Sequence, residues 1–78
     1  MKTDGGGPME KILIYTPYIT LGQFLKRANI ISTGGEVKLF LAEHTPLVQH
    51  EKENRRGRKL YPGMIVEIDG KVFEIVDR

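Results

Sequence analysis

The chain has 78 residues, a formal net charge of +2, 40% hydrophobic and 28% charged residues, and no cysteine. That length holds one small domain with little room for an enclosed active site; the composition is that of a folded globular chain, and the lack of cysteine excludes a disulfide framework and a thiolate zinc site. The longest apolar runs fall far short of the roughly 20 residues that cross a bilayer, so no membrane span is expected and the cytoplasm is the default location.

Residues 1–8, MKTDGGGP, lack the apolar stretch of a signal peptide and read as a flexible tail or an expression remnant, leaving residues 9–78 as a single domain. Lys11 to Tyr15 is a short β-rich run ended by Thr16-Pro17, which suits an edge strand. From Thr20 the period changes. Leu21, Phe24, Leu25 and Ala28 fall on one face of a first helix, Thr20 and Gln23 have capping-box spacing, and Gly22, Gln23, Lys26 and Arg27 form the polar side. Asn29 tolerates the left-handed conformation that ends many helices, after which Ile30 and Ile31 can pack back on the core.

Thr33 and Glu36 repeat the capping-box spacing, so a second helix follows a short joint. Val37, Phe40, Leu41 and His44 continue its apolar side until Thr45-Pro46 stops it. Leu39 points away from that stripe, so the helix is either buried on two sides or leaves Leu39 exposed. Leu47 to His50 is a short strand and Glu51 to Asn54 a polar turn. Tyr61-Pro62-Gly63 has proline and glycine where a type II turn needs them. Met64 to Ile68 and Lys71 to Val76 flank Asp69-Gly70, a two-residue hairpin signal.

Little here supports catalysis. His44 and His50 are separated by a proline and do not share a helical face as a metal-binding pair would. Ser32 precedes a helix cap and lacks an evident base. Glu51 and Glu53 flank Lys52 in a polar segment that suits solvation better than acid–base work. Neither an enzyme nor a metal or other cofactor is expected.

Positive charge is gathered instead in NRRGRKLYPG, Asn54 to Gly63, which carries Arg55, Arg56, Arg58 and Lys59. The planar donor fork of arginine matches phosphate oxygens, and Gly57 lets the backbone lie close to a ligand. Lys26, Arg27 and Lys38 extend the patch if the helices pack beside this loop. Gly34 and Gly35 precede helix two, where a phosphate can approach the amides of a helix start. Phe24 and Phe40 belong to core stripes and only Tyr61 lies near the cations, so phosphate contact rather than base stacking is the main mode suggested.

The run ITLGQFLKRANIISTGGEVKLFLAEHTPLVQHEKENRRGRKLYPGMIVEI, Ile19 to Ile68, resembles an S4 domain, the small RNA-binding module of ribosomal protein S4, pseudouridine synthases and tyrosyl-tRNA synthetases. STGGEVKLFLAEH with NRRGRKLYPG resembles the small stand-alone bacterial S4 proteins of the YaaA type, often encoded beside the recombination protein RecF. The resemblance implies an α+β fold, the α-L motif, with two helices packed on a small antiparallel sheet. Leu21 to Ala28 match the family's first helix, Ser32 to Gly35 its joint, and Lys38 its early basic residue. Two positions depart from the pattern. Val48-Gln49-His50 replaces Val-Asn-Gly, which predicts a looser turn, and Gly63-Met64 replaces Gly-Asp, which removes a turn aspartate.

The resulting expectation is a non-catalytic, monomeric RNA-binding protein that recognises structured, ribosomal RNA or a ribosomal subunit in ribosome assembly or maturation. Its RNA-facing residues would be Lys26, Arg27, Gly34, Gly35, Lys38, Arg55, Arg56, Arg58 and Lys59. The rival readings are an adaptor that docks a replication or repair protein, which an exposed Leu39 would favour, and a duplex DNA binder.

Overall fold

The computed structural model describes residues 9–77; the tail expected over residues 1–8 lies outside the described residues. In chain order the elements are β1 (Glu10–Ile14), β2 (Ile19–Thr20), α1 (Leu21–Arg27), α2 (Glu36–Glu43), β3 (Leu47–Val48), β4 (Glu51–Lys52), β5 (Lys59–Leu60), β6 (Ile65–Ile68) and β7 (Lys71–Asp77). The class is α+β, but the main sheet is larger than the small antiparallel one expected, and it is mixed. Its strand order is β1-β7-β6-β3-β4, with β1 parallel to β7 and the other pairs antiparallel, while β2 and β5 form a separate ribbon.

The difference arises at the two ends of the described segment. β1 and β7 lie outside residues 19–68, and they pair with each other in the register Ile12 with Ile75. A parallel pair needs a long crossover, which here is the rest of the domain. Val66 pairs with Phe73 and Val48 with Val66, so the two-residue period of a strand puts the apolar side chains on one face. Ile12, Ile14, Val48, Val66, Ile68, Phe73 and Ile75 are all buried there. β1 is an edge strand, as its short β-rich run suggests.

Both helices send their apolar stripes into the same core. Leu21, Phe24 and Leu25 of α1 and Val37 and Leu41 of α2 join it, and Phe24 meets Phe73 of β7 edge-on at 5.3 Å. The Thr20 capping box forms: the Gln23 amide donates to Thr20 Oγ1 at 3.2 Å and the Thr20 amide to Gln23 Oε1 at 2.9 Å. Asn29 adopts φ 61 and turns the chain out of α1, which buries Ile31 and partly buries Ile30. At α2 only the glutamate half of the expected box forms. Glu36 Oε1 accepts from the Ser32 and Thr33 amides at 2.8 and 2.9 Å, and Gly35 occupies the cap position without a side-chain bond. Those backbone donors hold the Glu36 carboxyl below its ordinary pKa.

Three local expectations change. Gly22, placed on the polar side of α1, is buried. His44, placed on the packing stripe of α2, stands at its C-terminal cap with 43% of its side chain exposed, stacked on Phe40 and 3.1 Å from Asp69. The turn after β3 is tight rather than loose: Gln49 and His50 both take positive φ, and Glu51–Lys52 returns as β4. Gln49 compensates for the missing Asn-Gly, since its amide donates to Ile65 O at 2.9 Å and its Oε1 accepts from Ile65 N at 2.6 Å. Leu39 is exposed.

The turns after β5 and β6 follow the sequence. Met64 N donates to Tyr61 O at 3.0 Å, and Gly63 has the φ of +95° that a type II turn requires. Met64, standing where the family pattern has aspartate, lays its sulfur 3.1 Å from the Tyr61 amide and so supplies an acceptor to that turn. Asp69 and Gly70, with φ 50 and 84, join β6 to β7.

Candidate functional site

The cationic run closes into a turn, because Arg58 N donates to Arg55 O at 3.1 Å and Arg56 and Gly57 become its apex. The turn is fastened to the start of α1. Leu21 N donates to Arg58 O at 2.8 Å and Gly22 N to Arg56 O at 2.9 Å, while the β2–β5 ribbon continues the contact. Amides that begin a helix lack intrahelical partners; here the backbone of the basic turn satisfies two of them. Gly22 lies in this contact: a Cβ there would stand at ordinary packing distance, 3.6 Å, from Arg56 and from Val37 of α2. The start of α1, the first turn of α2 and Arg56 therefore meet at one point.

A buried carboxylate holds the turn from beneath. Glu53 is only 6% exposed. Its Oε2 accepts from Arg55 N at 3.0 Å and Arg55 Nε at 2.9 Å, and its Oε1 accepts from Arg55 Nη2 at 3.2 Å and Arg58 Nη1 at 2.9 Å. The Arg55 guanidinium, reinforced by Arg58, holds the Glu53 carboxyl down at about 2, and Glu53 in turn raises Arg55. Glu53 is therefore an internal anchor, which corrects the solvated role expected of it. The anchor also divides the four cations: Arg55 and Arg58 share Glu53, whereas Arg56 and Lys59 have no ion pair among the described residues.

The remaining sequence candidates surround this point unequally. Lys38 is exposed and adjoins Val37, hence the junction with Arg56. Lys26 lies four residues beyond Gly22, about 6 Å of helix rise, and Arg27 lines a concavity with Tyr18, Thr20 and Gln23. Both occupy the last turn of α1, where cations also suit the helix dipole. Gly34 and Gly35 are exposed in the joint, and internal packing does not demand glycine at either: an added Cβ meets nothing within 4 Å at Gly34 and only Thr33 Oγ1, at 3.9 Å, at Gly35. The nearby Ser32 and Thr33 amides already hold the Glu36 carboxylate.

Sequence reasoning missed the parts played by Glu53 and Gly22. The spacing Glu53, Arg55, Arg58 is a visible sign of a local anchor; the place of Gly22 depends on non-local pairing.

This arrangement defines a small α+β domain whose densest charge sits on a backbone-clamped turn. The chain belongs to the S4 domain family, whose profile matches residues 12–76. It is also similar to a Bacillus subtilis (strain 168) protein described as "Probable ribosome maturation protein RlbA", with 61% identity over 67 residues, covering 85% of this chain and 94% of the relative. Among the described residues no helix is long and apolar enough to cross a membrane.

Proposed function

We propose that the protein is a non-catalytic RNA-binding factor of ribosome maturation that recognises structured, ribosomal RNA through phosphates. The observation that carries this reading is Arg56. It stands at the apex of a turn whose backbone is fixed to α1, and no ion pair among the described residues satisfies its guanidinium. Because the turn's backbone is already fixed, no main-chain freedom is lost when the Arg56 guanidinium meets a phosphate, and only side-chain ordering remains as a cost. Family membership and the description of the Bacillus relative support the same reading.

Arg56 and Lys59 would supply the principal phosphate contacts, with Lys38, Lys26 and Arg27 extending the face. Arg55 and Arg58 would contribute mainly field and rigidity, because Glu53 occupies part of their donors. Gly34, Gly35 and Gly57 would let a backbone approach closely. The protein would act as a monomer in the cytoplasm, on the ribosomal particle or its RNA.

The test is binding of wild type and Arg56→Ala to ribosomal subunits and to duplex DNA across a salt series. Preference for the ribosomal particle, with the variant's salt slope shallower by about 0.7–0.9, supports the proposal. Equal or better binding to duplex DNA removes it.

A further inference from the structure

Resting on that RNA reading, we propose a second recognition element on the same surface: Tyr18 and Tyr61 form a platform on which an unpaired RNA base stacks. The platform follows from the register of the β2–β5 ribbon. Ile19 pairs with Leu60 and Thr20 with Lys59, so one step further along the ladder Tyr18 stands opposite Tyr61. Ile19 and Leu60 are buried, and strand alternation then turns Tyr18, Thr20, Lys59 and Tyr61 to the solvent face. The two rings lie 5.6 Å apart at 46°, and Lys59 Nζ stands 5.1 Å from the centre of the Tyr18 ring.

Single exposed aromatics are ordinary. These two differ in being paired, fixed and flanked by cations. Tyr18 is 36% and Tyr61 47% exposed, and with Lys59 Nζ lying over one side of the Tyr18 ring, Tyr61 is the more open of the two. Tyr61 is held as the first residue of the type II turn, with its amide against Met64 Sδ, and the Tyr18 carbonyl accepts from Thr16 Oγ1 at 2.8 Å. Two open concavities of about 530 Å³ each adjoin the pair. One runs from Tyr18 to Gln23 and Arg27, and the other from Tyr61 and Met64 to Lys59, Arg58 and Arg55. A base placed on either ring keeps its flanking phosphates near a cation.

Duplex RNA hides its base faces, and unpaired nucleotides expose them. The ligand class is therefore a structured RNA with an unpaired nucleotide in a loop, bulge or single-stranded flank beside the helix that the basic turn contacts. Tyrosine accepts any base by stacking, so the platform selects unpaired structure rather than sequence.

The experiment uses an RNA hairpin with a short single-stranded tail and the same hairpin with its tail annealed to a complement. Wild type, Tyr18→Leu, Tyr61→Leu, Tyr61→Phe and Arg56→Ala are compared across a salt series, and urea midpoints confirm folding. The expected result is a wild-type preference for the free tail and a loss of about tenfold for that probe in each leucine variant. Their salt slopes stay unchanged, and Tyr61→Phe retains the preference. Arg56→Ala weakens both probes and flattens the slope. If the leucine variants bind both probes as wild type does, or weaken both equally, while Arg56→Ala still lowers the slope, the platform is overturned and the phosphate reading stands. Salt-independent wild-type binding, or none, overturns both.

Discussion

Replacing Glu53 with glutamine removes the charge that anchors the basic turn while keeping the shape of the side chain. The wild-type carboxyl falls from an ordinary 4.5 to about 2, which at 1.36 kcal/mol per pKa unit bounds its ionic contribution at about 3 kcal/mol. Solvent screens part of this, because 73% of the Arg55 side chain is exposed. Glutamine also preserves one acceptor, so the expected loss is about 1–2 kcal/mol at neutral pH. A depressed folded-state pKa stabilises fully above the unfolded value and is lost as pH falls through the folded one. The gap between wild type and Glu53→Gln is therefore constant above about pH 5 and closes between about pH 4.5 and 2. Urea unfolding at a series of pH values measures it, with an unchanged m-value certifying that the midpoints are comparable. A neutral-pH difference below about 0.5 kcal/mol, or a gap that persists undiminished at pH 2, would refute the anchor.

Other substitutions probe the same architecture. Gly22→Ala places its Cβ at ordinary contact distance, 3.6 Å from Arg56 and Val37, and removes a helical glycine, so it should raise stability by about 0.5–1 kcal/mol. Gly22→Leu has no such room and should lower the unfolding midpoint and weaken RNA binding by displacing the turn. Arg58→Ala should cost more stability than Arg56→Ala, because Arg58 is bonded to Glu53 and only 31% of its side chain is exposed; in RNA binding the order should reverse. His50→Gly relieves a non-glycine residue at φ 70 and should stabilise by about 0.5–1 kcal/mol, even though it removes His50 Nδ1 from its place 3.2 Å from Glu67. Leu39→Lys, at a position 63% exposed, should leave stability within about 0.5 kcal/mol and leave RNA affinity undiminished. A clear loss of affinity would give Leu39 a role in docking that the proposed function does not assign.

Much of the local structure was legible because its causes are local. The Thr20–Gln23 cap, the Leu21-Phe24-Leu25 stripe, the left-handed Asn29 and the turns at Pro62-Gly63 and Asp69-Gly70 depend on residues within a few positions of one another. The errors have a common origin. Gly22 reads as polar-side from helical period alone, since nothing in the period shows that a distant turn will pack there. Glu53 reads as solvated beside Glu51 and Lys52, yet its amide donates to Pro46 O and its carboxylate gathers Arg55 and Arg58. Gln49-His50 reads as a loose turn because the residues that favour positive φ are absent, while the bonds to Ile65 that hold it come from another strand.

The α+β pattern, the course of the two helices and the gathering of positive charge between Asn54 and Gly63 follow from the order of residues alone. Period, capping chemistry and composition act over short stretches of chain and need no partner. That β1 closes the sheet in parallel with β7, that two arginines share Glu53 while Arg56 does not, and that Tyr18 meets Tyr61 emerge only once the chain is folded. Each depends on which distant segments lie side by side, a choice set by how the whole apolar set is buried at once.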